Sequence, residues 1–304
     1  MSLSNLLEKK EQQQIDSWIN GVTYEVKFWN SFLRKKTRKK ILDSFRNKDP
    51  FKLPLLSLEN IGIDFENIGK YVVLDVGCGM TYSVMPYING ESIDLHYVDP
   101  LAVFYNDILK KRKLSLPEIE FAFVEYLSGF FDTGSANLIV IQNALDHSFD
   151  PVKGILECIR VLKVGGILYL RHTANEAERE NYIGFHQYNI NAHNGSLIIW
   201  NKDSRVDITK LLSDIAHIEL THNENLITAK IIKTSDNVSI NDRYDKGLLS
   251  KQLLYTIYRF TKTGFVTKYL LRKKWQHFFH FASSIAPRSL KNHVKAIIRK
   301  SGST

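Results

Sequence analysis

The sequence predicts a doubly wound, mostly parallel, seven-stranded α/β sheet with a helical cover before it and a basic helical extension after it. Short β-rich runs alternate with helical stretches from residue 71 to about 233. The connections between the first five runs are long enough for the crossovers that parallel strands require. The last two runs are separated only by "NEN" and therefore predict a tight antiparallel hairpin.

The predicted strands follow one another from residue 71 to about residue 233. In order they are "YVVLDV", "IDLHYVD", "IEFAFV", "ANLIVIQ", "GGILYLRH", "SLIIW", "AHIELTH" and "NLITAKII". Their limits divide the chain into a helical N-terminal cover over residues 1–68, a central domain over 69–235 and a helical extension over 236–304. In the cover, Phe28 and Trp29 either close over a ligand or pack on the sheet.

Composition indicates a cytoplasmic protein. The 304 residues are 44% hydrophobic and 24% charged, as in ordinary soluble proteins. Cys78 and Cys158 lie far apart, which favours reduced thiols, and no Cys/His spacing predicts a metal site. The N-terminus becomes polar after seven residues, so no secretion signal is expected, and no apolar window is long enough to span a bilayer.

The net charge of +9 is concentrated at one end of the chain. Residues 246–304 contain thirteen Lys and Arg residues and no Asp or Glu, interleaved with aromatic residues. Anionic lipid attracts such segments, RNA binds the same residue types, and a packed helix pair with a solvated basic face is the third alternative. The first alternative predicts a peripheral position at the inner membrane surface.

A glycine turn follows the first strand in "VLDVGCGMT". Gly77 and Gly79 suit a backbone that approaches a ligand closely, since a Cβ would intervene. A dinucleotide fold is the competing interpretation, but its third glycine would fall at Tyr82. The carboxylate of Asp75, directly before the glycines, suits a ligand that carries an ammonium group.

Two further motifs lie at the expected distances from this turn. Asp99 ends the second strand in "VDP", where an acidic side chain can accept ribose hydroxyls, and "RVLKVGG" leads into the fifth strand. Together, over residues 70–175, these motifs resemble class I S-adenosylmethionine-dependent methyltransferases of the type 11-like branch. The resemblance implies a Rossmann-like methyltransferase fold and S-adenosylmethionine as the cofactor. Met80 and Thr81 depart from it, since a third glycine often stands there.

The resemblance also implies which residues contact the cofactor. It places Asp75, Gly77, Cys78 and Gly79 around the amino acid end of the cofactor and Asp99 at the ribose. Glu125 and Tyr126 would lie beside the adenine, and Gln142 and Asn143 would lie near the methyl group.

The residues around the fourth strand favour an oxygen acceptor. The chain has neither the N-P-P-[YF] sequence of base-directed amino methylation nor a cysteine nucleophile at this point, so nucleic acid is disfavoured but stays open. Histidine can remove the proton of a hydroxyl near neutral pH. His147, His172 and His186 follow strand ends and are the candidate bases, whereas His217 and His222 are expected on the surface.

The segment "HTANEAERENYIGFHQYNIN" after the fifth strand carries the acceptor prediction. It resembles a pattern of sugar- and polysaccharide-modifying members of the superfamily, which implies O-methylation of a sugar or surface glycan. The implied substrate-binding residues are Asn175, Glu176, His186, Gln187, Tyr188 and Asn189. The alternatives are an ordered loop that satisfies its own backbone, a methyltransferase for RNA or a small metabolite, and a non-catalytic scaffold.

Overall fold

A six-stranded sheet carries the domain. The computed structural model describes scattered positions between 13 and 32 and residues 71–84, 87–88 and 91–236, all within the unit Met1–Val238. The strands of the sheet are β1 (Val72–Val76), β4 (Asp94–Val98), β5 (Ala136–Gln142), β6 (Leu162–Thr173), β10 (Ala216–Asn223) and β11 (Leu226–Lys233). Their spatial order is β10-β11-β6-β5-β1-β4.

The strand directions agree with the predicted topology. β4, β1, β5 and β6 are parallel, and β11 runs antiparallel to β6 and pairs with β10 in a hairpin. Glu224, in the hairpin turn, has a φ of 53°. β1 lies between β4 and β5, so the chain leaves it first to one side and then to the other. Such a reversal opens a crevice at the carboxyl ends of the strands, where open α/β sheets bind ligands.

The third predicted strand is reduced to one bridge, so the prediction of seven strands is not confirmed. Within "IEFAFV" only Glu120 pairs, through its backbone N–H to the Tyr97 carbonyl and its carbonyl to the Asp99 N–H. The chain then turns into a 3₁₀ helix, Val124–Gly129. Phe121 and Phe123 pack edge to face here, so aromatic packing replaces further strand pairing.

Between β1 and β4 the described residues form no helix. They form a turn, in which the Tyr82 N–H donates to the Cys78 carbonyl, and a short hairpin of β2 (Tyr87–Ile88) and β3 (Glu91–Ser92). The run "SLIIW" also lies outside the main sheet. It is β8 (Ser196–Trp200), which pairs with β7 (Asn189–His193) and β9 (Arg205–Asp207).

The described helices are short. They are α1 (Ala102–Lys111), α2 (Pro151–Val161), α3 (Glu176–Arg179) and α4 (Ile208–Leu211), besides the 3₁₀ turn Leu145–His147. α2 begins at "DP": the Asp150 carboxylate accepts the Lys153 N–H at 3.0 Å, and Pro151 occupies the first turn, where a missing N–H costs nothing.

Alternating side chains of the parallel strands form apolar clusters on both faces of the sheet. On one face Leu74, Ile139 and Leu168 pack with Ile155 of α2, and on the other Val140 joins a smaller cluster. The described positions between 13 and 32 are helical. No helix in the described ranges is long and apolar enough to span a membrane. Most of the predicted cover, and the predicted extension 236–304 beyond its first residue, lie outside the described residues.

Candidate active site

A cavity of about 600 Å³ opens at the carboxyl ends of β1, β4 and β5. Three walls form it: the glycine turn after β1, the loop after β5, and the segment between α3 and β7. The helical residues near positions 18–32 close the fourth side. This volume is in the range of small-molecule and cofactor sites.

The glycine turn needs glycine for two reasons. Gly77 and Gly79 have φ values of +68° and +54°, which L side chains rarely adopt. A Cβ on Gly77 would lie 2.4 Å from the Ala144 Cβ, and one on Gly79 would lie 2.5 Å from the Trp29 ring. The first contact packs the turn after β1 directly against the loop after β5.

Asp75 supports this turn from beneath. Its Oδ2 accepts the backbone N–H groups of Ser83 and Val84, and its Oδ1 is buried without a hydrogen-bond partner in the described part of the chain. Burial raises the pKa of Asp75 to about 7, although the backbone donors oppose the shift. The side chain does not line the cavity. Asp75 thus supports the turn, and its contact with the cofactor stays a prediction.

Asp99 joins the turn to the next strand at the edge of the cavity. Its Oδ2 accepts the Gly79 N–H at 3.1 Å and its Oδ1 accepts the Leu101 N–H at 2.7 Å. Burial raises the pKa of Asp99 to about 7. Cys78 also lines the cavity; burial and then the nearby Asp75 and Asp99 raise its thiol pKa above the ordinary value.

The two residues predicted beside the adenine point in different directions. Glu125 lines the cavity, accepts the Phe149 N–H at 2.7 Å, and has its pKa raised to about 7 by burial. Tyr126 does not line the cavity; Lys153 of α2 lies 4.0 Å above its ring. The 3₁₀ helix places these successive side chains on different sides, and the contact of Tyr126 with the adenine stays a prediction.

Gln142 and Asn143 line the cavity where β5 ends, and their contact with the methyl group stays a prediction. Asn143 has a φ of 44°, and its side-chain oxygen accepts the Thr173 N–H at 2.8 Å, which ties the end of β5 to the end of β6. The Gln142 Oε1 is buried without a hydrogen-bond partner in the described residues. This unpaired acceptor is the kind of group that a bound ligand satisfies.

A histidine cluster surrounds Asp146 at the base of the cavity. The His186 Nδ1 lies 2.8 Å from Asp146 Oδ2 and 3.2 Å from the His147 Nε2. His147 and His186 line the cavity. The third candidate base, His172, lies behind them with its Nδ1 3.7 Å from Asp146 Oδ1 and is buried away from the cavity. His172 is therefore not exposed to the cavity, unlike the other two candidate bases, and its role as a base stays a prediction.

Charges within the cluster set its protonation. Burial opposes ionisation of Asp146, but the three histidines outweigh it and lower its pKa to about 2. For His186, burial favours the neutral ring, but the hydrogen bond that its Nδ1–H donates to Asp146 outweighs burial and raises the pKa above the ordinary value. Burial lowers the pKa of His172 to about 4, so that ring is neutral at pH 7. A buried carboxylate thus faces two cavity imidazoles.

Only part of the predicted acceptor loop faces the cavity. Glu176 and His186 line it, whereas Asn175, Gln187, Tyr188 and Asn189 do not. Asn175 is the left-handed residue that precedes α3, with a φ of 53°.

The other three side chains hold the loop in place. The Gln187 Nε2 donates to the carbonyls of Tyr182 and Gly184, both at 3.0 Å. The Tyr188 hydroxyl donates to the Phe149 carbonyl at 3.0 Å, and the Asn189 Oδ1 accepts the Glu178 N–H at 3.0 Å. These polar groups already serve the fold, and substrate binding by the three residues stays a prediction.

The N-terminal aromatic residues lie against the cavity rather than on the sheet. Trp29 covers Gly79 and donates to Glu25 at 2.7 Å, and the exposed Phe28 lies beside it. Trp18 stacks on Phe185 with a centroid distance of 5.1 Å. These contacts join the N-terminal helical residues to the loop that carries His186.

Asp146 is the residue that the sequence analysis missed. It directly precedes His147 in "ALDHSF", and an acidic residue beside a candidate base at a strand end was the available signal. No metal site was predicted, yet Asp146, His147 and His186 bring three potential ligand atoms together. His186 lies 39 residues after His147, so spacing could not reveal the set.

Comparison with known proteins identifies the central domain. Residues 74–170 match the family model described as a methyltransferase domain, of type 11. No curated protein matches the chain.

Three solved structures give the range of similarity. The CurJ carbon methyltransferase is 16% identical (TM-score 0.43; 57% of this chain, 50% of that chain). The CMeT domain of the citrinin polyketide synthase is 17% identical (TM-score 0.43; 67% and 58%). A SAM-dependent methyltransferase from Aquifex aeolicus is 14% identical (TM-score 0.40; 64% and 98%). The chain thus spans half of the CurJ structure.

The matched segment contains the glycine turn, Asp99 and the loop after β5, which together bound the cavity. Gly77 and Gly79 leave the turn open to a close ligand, and the unpaired Gln142 Oε1 offers that ligand an acceptor. Residues 74–170 therefore form a class I S-adenosylmethionine-dependent methyltransferase domain, and S-adenosylmethionine is its cofactor.

Proposed function

We propose that the protein methylates a hydroxyl group of a sugar or surface-glycan acceptor, by in-line transfer with a histidine as general base. The observation that carries the proposal is the pair of imidazoles, His147 and His186, which face the cavity beside the ends of β1 and β5 and contact one buried carboxylate, Asp146. The sugar class rests on the sequence pattern of residues 172–191.

The glycine turn and its neighbours would hold the cofactor. Gly77, Cys78 and Gly79 line the cavity with backbone, and Asp99 lies beside them. Each oxygen of Asp99 accepts one backbone N–H, and a carboxylate has further lone pairs for ribose hydroxyls. Glu125 would face the adenine. Bound there, S-adenosylmethionine supplies an activated methyl group on a positively charged sulfur.

The histidine pair would prepare the acceptor hydroxyl. Holding it in line with the methyl group accounts for a large share of rate enhancement, about 7–11 kcal/mol in well-oriented reactions. An imidazole within hydrogen-bond reach then removes the hydroxyl proton, which contributes about 10²- to 10⁴-fold. Asp146 stabilises the positive charge that the ring gains.

The walls of the cavity fit an acceptor with both polar and apolar faces. Ser148, Glu176 and Glu180 line it and can exchange hydrogen bonds with hydroxyl groups. Tyr24 and Phe28 are exposed and also line it, so their rings can cover the apolar face of a sugar. We assign to them the stacking role that the sequence predicted for Tyr188, whose hydroxyl donates to the Phe149 carbonyl.

Methyl incorporation tests the acceptor class. The purified protein is incubated with radiolabelled S-adenosylmethionine and, in separate reactions, nucleotide sugars, surface polysaccharide and RNA. We expect label in a sugar or polysaccharide fraction that is stable to ribonuclease. Label that appears only in RNA would show the acceptor assignment to be wrong.

Two variants test the base. We expect His186→Ala and His147→Ala to retain S-adenosylmethionine affinity and to lose turnover by about 10²- to 10⁴-fold. His193→Ala is the control, since this exposed histidine of β7 does not line the cavity. Full turnover in both cavity variants would remove histidine base catalysis.

We also propose that residues 246–304 hold the protein at an anionic membrane surface. The segment has thirteen basic residues and no acidic ones. Each basic residue near an anionic membrane surface contributes about 1 kcal/mol to binding. Deletion of the segment should abolish co-sedimentation with phosphatidylserine vesicles at low salt. Equal co-sedimentation of the full and the shortened chain would contradict the proposal, and RNA binding by the segment would favour its rival.

A further inference from the structure

The three polar atoms at the base of the cavity form a compact triangle. Its edges are 2.8 Å from His186 Nδ1 to Asp146 Oδ2, 3.2 Å from His186 Nδ1 to His147 Nε2, and 3.6 Å from His147 Nε2 to Asp146 Oδ2. The residues come from two segments: the 3₁₀ turn after β5 and the loop before β7. Each of the three residues contributes one atom with a lone pair, and the three atoms lie close together.

This triangle has the dimensions of a metal-ligand set. Imidazole nitrogen and carboxylate oxygen bind Zn²⁺ at about 2.0–2.2 Å. Two ligands of a tetrahedral ion at those distances are therefore separated by about 3.3–3.6 Å, and octahedral neighbours by about 2.8–3.1 Å. The observed edges fall within this combined range, so one ion can contact all three atoms after small side-chain movements.

Hydrogen bonds alone do not satisfy all three contacts of the triangle. If the His186 Nδ1–H donates to Asp146, the His147 Nε2 faces the same hydrogen, with 3.2 Å between the two nitrogen atoms. If His147 donates to His186 instead, the contact between His186 and the carboxylate has no hydrogen. A divalent cation removes this conflict because all three atoms then act as donors of lone pairs.

The surroundings suit an ion with open coordination positions. Asp146 is buried and its second oxygen, Oδ1, has no hydrogen-bond partner in the described residues, with the His172 Nδ1 3.7 Å away. His147 and His186 keep 21% and 24% of their side chains exposed toward the cavity, so an ion can enter there. Catalytic zinc sites likewise have three protein ligands and one open position.

We propose that Asp146, His147 and His186 bind a divalent first-row transition-metal ion of the Zn²⁺ or Co²⁺ kind. Two imidazoles and one carboxylate favour such ions over Mg²⁺ and Ca²⁺, which prefer oxygen ligands. The bound ion takes the lone pairs of both cavity imidazoles and so blocks them as bases. This second step rests on the proposed histidine base, whereas the binding step does not.

Cobalt titration of the full chain tests the binding step. Co²⁺ is added to protein treated with EDTA and then freed of chelator, and the visible d–d absorption is recorded. We expect saturation at one ion per chain. Loss of an outer partner typically weakens metal binding by about 10- to 100-fold, and we expect larger losses in His186→Ala and in the isosteric Asp146→Asn.

Controls separate the metal site from the fold and from surface histidines. His222→Ala removes an exposed histidine of β10 and should titrate like the unmodified protein. S-adenosylmethionine calorimetry on each variant verifies that the domain is folded. A missing cobalt signal in the unmodified protein, or one that survives in folded His186→Ala, would overturn the site.

Methyl transfer by the metal-loaded protein tests the second step. We expect activity to fall as the cobalt signal saturates and to return after EDTA treatment. Activity that rises with bound cobalt would overturn the block while leaving the binding result in place. If no sugar is methylated at all, the proposed acceptor fails, but the cobalt titration still decides whether the site exists.

Discussion

Gly77→Ala tests the contact that joins the glycine turn to the loop before the histidine cluster. The substitution places a methyl group 2.4 Å from the Ala144 Cβ, at a φ of +68°. We expect it to destabilise the domain and to displace the turn from the cavity. Gly134→Ala is the matched control, since Gly134 has the same φ of +68° and no atom within 4 Å of an added Cβ.

The two glycines allow the cost to be divided. A side chain in the left-handed region costs about 1–2 kcal/mol, and an added carbon in a packed site costs about 1–3 kcal/mol. Gly134→Ala should therefore lower the free energy of unfolding by about 1–2 kcal/mol. Gly77→Ala should lower it by about 2–5 kcal/mol, as the sum of both effects.

A double-mutant cycle isolates the contact. Ala144→Gly removes the opposing Cβ, and the Ala144 Cα would then be 3.8 Å from the new methyl group, an ordinary contact. The pair Gly77→Ala and Ala144→Gly should therefore show a coupling of about 1–3 kcal/mol in urea unfolding. Calorimetry with S-adenosylmethionine on the same variants measures the loss of cofactor affinity that a displaced turn would cause.

Two results would refute this reasoning. One is a Gly77→Ala protein that matches Gly134→Ala both in its unfolding free energy and in its cofactor affinity. The other is a cycle with no coupling between positions 77 and 144. Either would mean that the two loops do not support each other.

Three further substitutions test single side chains. Glu125→Gln removes a carboxyl whose pKa burial raises from 4.5 to about 7. The protonated Glu125 carboxyl stabilises the native state below pH 4.5, and this contribution of about 3 kcal/mol is lost as the pH rises through 7. Between pH 5 and 8 the free energy of unfolding should therefore fall less in Glu125→Gln than in the unmodified protein. Tyr188→Phe removes the bond to the Phe149 carbonyl and should cost about 0.5–1.5 kcal/mol in unfolding free energy, with acceptor KM unchanged. Asp99→Ala leaves the Gly79 and Leu101 N–H groups without their acceptor and should weaken cofactor binding about 10- to 150-fold in calorimetry.

Each of these expectations has a contrary outcome. Glu118→Gln, at an exposed carboxyl, is the control for Glu125→Gln, and equal pH profiles of the two variants would exclude a protonated Glu125. A raised acceptor KM in Tyr188→Phe would restore Tyr188 as a substrate-binding residue. Unchanged cofactor affinity in Asp99→Ala would exclude its role at the turn.

The fold class and the cofactor could be predicted because their signals are local in the chain. The parallel strands appear as apolar runs with crossover spacing, and the hairpin of β10 and β11 follows from its short turn. Gly77 and Gly79 require a backbone conformation that few other residues adopt, and Asp99 lies at a set distance from them. Backbone conformation and strand period are properties that neighbouring residues largely determine.

Packing overrode propensity in one predicted strand, and hydrogen bonds within the fold occupy part of the predicted acceptor loop. The run "IEFAFV" has the composition of a strand, but its aromatic rings pack together and only Glu120 pairs. The polar residues Gln187, Tyr188 and Asn189 have the composition of a binding site, but they hydrogen-bond within the fold. Composition does not determine the direction in which a side chain points.

The sequence by itself thus determined a doubly wound sheet, a glycine turn for S-adenosylmethionine and a set of candidate histidines. Only the tertiary structure decided which of them act together. It buries His172, exposes His147 and His186 to the cavity, and places Asp146 between all three. The reason is that this cluster forms where loops after different strands meet, and such a meeting depends on long-range packing that no single segment encodes.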